Sequence, residues 1–223
     1  MSTLGAQQVF DSYAERYDAW YDTAAGRALL ASEVECIRPL VEPFPRPYLE
    51  VGVGTGRFAQ ALGIEYGLDP SLLALERAQR RGVQAMLAAW ESIPFKDACF
   101  GAVLMAFTLC FVRDPNLVLQ EVHRVLVPTG GLILGLLLKG TPWADSYARR
   151  GAAGHPLYRT AHFYAKEDVE ALLRQSGFCI KGYRSTLFQR PGLEVYQEER
   201  PEDGYIPGAG FVAVVAVRTE ARG

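Results

Sequence analysis

The chain has 223 residues, 49% hydrophobic and 22% charged, which is enough apolar mass for one sizeable core and points to a single domain with small appendages. A formal net charge of −2 supplies no basic field for nucleic acid, and the longest apolar run, Gly131 to Leu138, is too short to cross a bilayer. The four cysteines, Cys36, Cys99, Cys110 and Cys179, form no C-x-x-C pair, which argues against zinc, a disulfide framework and thioredoxin chemistry, and no metal is expected.

In chain order, residues 7–22 and 26–41 have helical periodicity and make residues 1–45 a helical cap. In the first helix Tyr13, Tyr17, Trp20 and Tyr21 lie at i, i+4, i+7 and i+8, so one broad face carries all four. Pro43-Phe-Pro-Arg-Pro47 then stops helix formation and extends the chain into a strand. Strand 48–53, helix 56–62, strand 64–69, helix 71–81, strands 83–88 and 100–106, helix 116–126 and strand 131–138 follow. That alternation predicts a parallel, doubly wound α/β sheet, with residues 46–138 as its ligand-binding core. A helix at 166–176, ended by Gly177, and two β-rich segments, 178–188 and 209–218, complete the chain. Residues 139–165 and 189–208 break the pattern; the first lies just beyond a strand's carboxyl end, where α/β proteins bind ligands, and both are expected to serve as lid or substrate insertions.

The richest stretch is Tyr48-Leu-Glu-Val-Gly-Val-Gly-Thr-Gly-Arg-Phe58, an apolar strand running into three alternating glycines. Glycines at 52, 54 and 56 let backbone approach a ligand closely, and the helix beginning near Gly56 points free N–H groups into the same turn. The next strand, Ile64 to Asp69, ends in an acid placed to accept hydrogen bonds from ribose hydroxyls. A nicotinamide-binding turn of the form G-x-G-x-x-G wants its third glycine at position 57, where this chain has Arg57.

The order Glu50, Gly52, Gly54, Gly56 instead resembles the first motif of the Rossmann-like S-adenosylmethionine-dependent methyltransferases. Gly67-Leu-Asp-Pro-Ser71, Ser92-Ile-Pro-Phe95 and Glu121-Val-His-Arg-Val-Leu-Val-Pro-Thr-Gly-Gly131 resemble later motifs of the same family, in the same order. The likeness covers roughly residues 7–218 and is strongest from Tyr48 to Leu138. It implies a seven-stranded sheet, mostly parallel with an antiparallel C-terminal strand and helices on both faces, and S-adenosylmethionine as cofactor.

The resemblance also implies roles for particular residues. Glu50 would contact the methionine amino group, Gly52 and Gly54 would make room for methionine and ribose, Asp69 would bind the ribose hydroxyls and Pro70 would flank the adenine. Ala89 stands where many members have an aspartate that reads the adenine amino group, leaving Trp90 or backbone groups to substitute. Phe107 would lie by the methionine tail, and a Tyr-rich first helix would cap the cofactor and shape the substrate site. That makes Tyr13 and Tyr21 substrate-binding candidates and Tyr17 a catalytic candidate.

The expected chemistry is direct in-line displacement of the activated methyl by an acceptor nucleophile, releasing S-adenosylhomocysteine. A base is needed only if the nucleophile is protonated, and the candidates are His155, His162 and the tyrosines near the site, with His162 carried forward. An aromatic, hydrophobic cap suggests a small-molecule acceptor, with no nucleic acid or membrane partner, for a monomer or homodimer. The polar, mixed first ten residues are unlike a secretory leader, so the expected location is cytoplasmic. Two other readings stay open: an NAD(P)-dependent oxidoreductase, which shares the first strand-helix-strand unit, and a cofactor-binding protein without catalysis.

Overall fold

In the computed structural model, which describes residues 3–219 with side chains from Phe10 onward, two helices precede the sheet: α1 (Thr3–Trp20) and α2 (Ala24–Val41). Thr23 caps α2, its hydroxyl oxygen accepting a hydrogen bond from Gly26 N at 3.0 Å. Then come β1 (Tyr48–Val51), α3 (Arg57–Leu62), β2 (Tyr66–Asp69), α4 (Leu72–Arg80) and β3 (Gln84–Leu87). The second half contributes β4 (Phe100–Ala106), α5 (Pro115–Val125), β5 (Leu126–Leu136), α6 (Pro142–Ala152), α7 (Lys166–Gln175), β6 (Phe178–Thr186), β7 (Glu202–Asp203) and β8 (Phe211–Arg218).

All the strands join one sheet in the order β3-β2-β1-β4-β5-β8-β6-β7. The first five are mutually parallel, and β8 runs antiparallel between β5 and β6. The expected sheet of seven strands thus has an eighth, because part of the 189–208 segment pairs at the edge. Two residues of β7 lie opposite Arg184 and Ser185, held by Arg184 Nε to Asp203 Oδ1 at 2.8 Å and by Ser185 Oγ donating to Gly204 O at 2.8 Å. A two-residue strand has no period to announce it. The 139–165 segment contains α6, started by Thr141 as cap and Pro142 in the first turn.

Alternation along the strands sorts the interior into two cores. Val103 and Met105 of β4 and Val212 and Val214 of β8 pack with α5 and α7, whereas Leu104 of β4 and Ala213 and Val215 of β8 pack with α2, α3 and α4. The sheet is therefore covered on both faces. The crossing point between β1 and β4 leaves a crevice beyond their carboxyl ends, the place where an open α/β sheet receives a ligand.

Helix α1 is tied across this crevice by charge. Asp18 accepts from Arg57 Nε at 2.8 Å and pairs with Arg81 Nη2 at 2.9 Å, while Asp22 pairs with Arg57 Nη1 at 2.8 Å. Asp11 Oδ1 accepts from Ser71 Oγ at 2.6 Å. Burial pushes the Asp18 carboxyl up, but hydrogen bonds from Arg57, Arg81 and Thr55 outweigh it and hold the group below its usual value. A depressed carboxylate pKa contributes stability above the unfolded value and loses it as pH falls through the folded one, so this latch is fully engaged at neutral pH. Asp18 is 14% exposed, and replacing it strands two partly buried arginines. Asp18→Ala is expected to cost about 2 kcal/mol in urea denaturation with an unchanged m-value. Asp22→Ala, at an exposed position, should stay near wild type.

Candidate active site

The turn after β1 is seated before anything can bind it. Gly52 N and Val53 N both donate to Leu68 O of β2, at 2.8 and 3.0 Å. Gly52 has φ +78°, and a Cβ there would fall 2.2 Å from Thr108 Oγ1, so the position accepts glycine alone. Thr108 in turn donates to Val51 O at 3.1 Å, pinning β4 to the end of β1. Phe107, just before it, holds a left-handed φ of +57°, with its N–H bonded to Gly135 O at 2.9 Å. A non-glycine residue in that region costs about 1–3 kcal/mol and persists where its surroundings impose it.

Gly54 N donates to Asp69 Oδ2 at 3.0 Å, and Asp69 Oδ1 accepts from Ser71 N at 2.9 Å. Asp69 is only 6% exposed; burial pushes its carboxyl up to about 6 against the two backbone donors. Whereas Gly52 is hemmed in, a Cβ on Gly54 would meet no atom within 4 Å. Gly54 borders open space, a cavity of about 850 Å³.

Gly52, Gly54, Asp69, Trp90 and Thr108 line one part of this cavity. Trp90 is buried, edge-on to Phe10 at 5.9 Å, and its indole Nε1 has no hydrogen-bond partner among the described residues. An open cradle beside Gly54, an acid at the end of β2 and a flat apolar wall with an unused donor fit a nucleoside-bearing cofactor.

Aromatic side chains from the added segments supply the remaining wall: Tyr13, Tyr17 and Trp20 from α1, Tyr21 just after it, Trp143 and Tyr147 from α6, with Tyr158 and Tyr196 beyond. The hydroxyls of Tyr17 and Tyr21 lie 2.9 Å apart. Burial raises the pKa of both phenols, so each stays protonated at neutral pH. His155 stacks on Tyr158 at 4.5 Å and lies 5.2 Å from Tyr13, with its Nδ1 unpartnered among the described residues. Burial, then Arg150 and Arg16, lower its pKa, so the ring is neutral at pH 7.

Of the residues singled out from the sequence, Tyr13, Tyr17, Tyr21, Gly52, Gly54, Asp69, Trp90 and Phe107 line the cavity, whereas Glu50, Pro70, Ala89 and His162 do not. Glu50 is buried, which pushes its carboxyl well above the usual range, and its Oε2 has no hydrogen-bond partner among the described residues. Pro70 and Ala89 are half-buried neighbours of Asp69 and Trp90. His162 is exposed: its N–H is committed to Cys110 O at 2.7 Å and its ring lies against Tyr164, which turns it out of the cavity. The histidine on the wall is His155. Sequence reasoning missed Glu33, which lines the cavity from α2. Its signal was a carboxylate within the apolar stripe Leu29, Glu33, Ile37 at four-residue spacing.

A parallel sheet with this crossing point, a pinned glycine turn and an acid closing the second strand define the Rossmann-like class of cofactor-binding enzymes. A family model described as a methyltransferase domain matches residues 49–134. An uncharacterized protein of Mycobacterium tuberculosis is 55% identical over 204 residues, 92% of this chain and 72% of that protein. The demethylmenaquinone methyltransferase of Deinococcus radiodurans is 33% identical over 240 residues, spanning 85% of this chain and 90% of its own length. A solved structure from Thermotoga maritima, titled an S-adenosylmethionine-dependent methyltransferase and possible histamine N-methyltransferase, has a TM-score of 0.86 and 31% identity, covering 95% of this chain and 99% of that one. The chain belongs to the S-adenosylmethionine-dependent methyltransferases, and S-adenosylmethionine is its cofactor.

The packing at Gly52 yields a direct test. Gly52→Ala should cost about 2–4 kcal/mol in urea denaturation, through the clash with Thr108 and the positive φ. Adding Thr108→Ala should recover part of that loss but not the backbone term.

Proposed function

We propose that this methyltransferase acts on a small-molecule acceptor by direct in-line displacement. The observation that carries the proposal is continuity: one cavity of about 850 Å³ contains both the Gly54 and Asp69 end and the aromatic walls of α1 and α6. Donor and acceptor can therefore meet without a further opening. Residues 1–45 and 139–165 act as the cap of a single catalytic domain, and the 189–208 segment lends Tyr196 to the wall. Among the described residues no helix is long and apolar enough to cross a membrane, and we infer action in the cytoplasm.

Bound S-adenosylmethionine supplies a methyl on a cationic sulfur that leaves without an acid. The chain's own contribution is placement. Asp69 would hold the ribose hydroxyls, Trp90 would cover the adenine with Pro70 and Ala89 behind it, and Phe107 would border the methionine tail. A protonated Tyr17 donates a hydrogen bond rather than removing a proton, so it positions the acceptor. His155, neutral and on the cavity wall, is the group able to take a proton from a protonated nucleophile. Most of the acceleration comes from alignment of the reacting atoms away from bulk water.

Calorimetric titration should find S-adenosylmethionine and S-adenosylhomocysteine binding with micromolar affinity, and no binding of NADH; Asp69→Ala should weaken both by about tenfold or more. NADH binding with silence from both sulfur cofactors would overturn the donor site as drawn. The ribose contacts need an ionised Asp69, whose carboxyl titrates at about 6. Affinity for S-adenosylhomocysteine should therefore be flat above pH 7 and fall by up to about tenfold per pH unit below 6. Unfolding does not mimic this effect at Asp69, because its raised pKa lets the empty fold gain stability as pH drops through that value.

With an acceptor in hand, His155→Ala should lower kcat by about a hundredfold at unchanged cofactor affinity, the usual scale for a proton acceptor. His162→Ala should keep wild-type turnover. The reverse pattern would restore His162 to the mechanism.

A further inference from the structure

The donor contacts assigned above leave Glu33 without a part. This side chain comes from the inward stripe of α2, is 5% exposed and lines the cavity. No described residue hydrogen-bonds its Oε2. Burial alone pushes its carboxyl well above the usual range. A buried acid without a partner is costly, and a position bearing one is completed by something that enters from outside.

Its surroundings specify what that is. Tyr17, Tyr21 and Tyr147 line the same cavity as Glu33. Tyr17 and Tyr21 pack edge to face at 5.2 Å, and Tyr158 stands 4.6 Å from Tyr147. Aromatic faces attract cations, and the outer side of this group already does so: the Arg150 guanidinium lies 5.6 Å from the Tyr147 ring centre and 5.3 Å from that of Tyr158. Arg150 is exposed and forms no ion pair with Glu33. The empty site keeps this acid protonated; a cation is the ligand that favours its ionised form, and an anion opposes it. A compact ammonium satisfies both the carboxylate and the rings.

We propose that the acceptor carries a basic amine and that Glu33, enclosed by Tyr17, Tyr21 and Tyr147, is the residue that binds it as an ammonium ion. The inference rests on this cavity being the site of methyl transfer, and it supplies the substrate class that the fold leaves open.

The test is calorimetric titration of the full-length protein, with and without saturating S-adenosylhomocysteine, using a series of alkylamines and phenylalkylamines and the alcohols of the same skeletons. At least one amine should bind about tenfold or more tighter than its matching alcohol. Glu33→Gln should erase that preference while leaving affinity for S-adenosylhomocysteine within about twofold of wild type. Glu33→Met, similar in volume, should raise the melting temperature of the empty protein, as removal of an unpaired buried acid requires. Equal binding of amines and alcohols, silence from every amine, or retained amine binding in Glu33→Gln would overturn the proposal. So would loss of S-adenosylhomocysteine binding in that variant, which would assign Glu33 to the donor, or a lowered melting temperature in Glu33→Met, which would make it a packing residue. Failure of S-adenosylhomocysteine to bind the wild-type protein counts against the methyl-donor site itself; donor binding without any amine preference counts against the amine alone.

Discussion

Thr108 occupies the space that a side chain on residue 52 would need, and its hydroxyl reaches back to the carbonyl of Val51. This close seating governs the ligand end of the molecule. With the turn fixed between β4 and β2, the N–H of Gly54 aims at Asp69, and the acid is held at the cavity edge by two backbone donors rather than by a flexible counter-ion. The same economy of space recurs nearby: a Cβ on Gly67 would lie 2.7 Å from Val53, and one on Gly56 would lie 2.9 Å from Ala78 of α4. The strand-helix-strand unit is thus drawn tight at the Gly54 and Asp69 end of the cavity, and its rigidity follows from close packing.

Arg57 connects that unit to the cap. Its position is where a nicotinamide-type turn would need a third glycine, and its side chain instead grips Asp18 of α1 and Asp22 just beyond the helix. Arg81, beyond α4, joins from the other side and also donates to Thr55 O at 2.6 Å within the glycine turn. One departure in glycine spacing therefore does two things: it removes the dinucleotide geometry and provides the charge that lays an aromatic helix over the cavity.

The parts legible in the sequence are those set by local period and spacing. Alternation located β1 to β5, and glycine spacing with Asp69 located the donor end. The i, i+4, i+7, i+8 row on α1 put Tyr13, Tyr17, Trp20 and Tyr21 on one face, and all four line the cavity. What escaped depends on three-dimensional encounters. His155 and His162 sit in the same aperiodic segment, yet only His155 lines the large cavity, while His162 borders a separate small pocket beside Phe107 and Cys110. Glu50 carries the motif but lies buried off the cavity wall. Glu33 was hidden by its context, since a helix read as scaffold gives no reason to ask which of its polar residues faces inward. The strand β7 is too short for any period and exists because Arg184 and Ser185 recruit it.

The cavity has two kinds of wall with different origins. Strand ends and the turns after them surround the donor, whereas α1, α2, α6 and residues near Tyr158 and Tyr196, far apart in the chain, form the aromatic part. Substitutions in the second group touch neither the pinned turn nor the ladder of β1, β2 and β4, and changes at separated sites combine nearly additively. The aromatic wall can therefore change shape by substitution while the glycine turn and the sheet beneath it stay as they are.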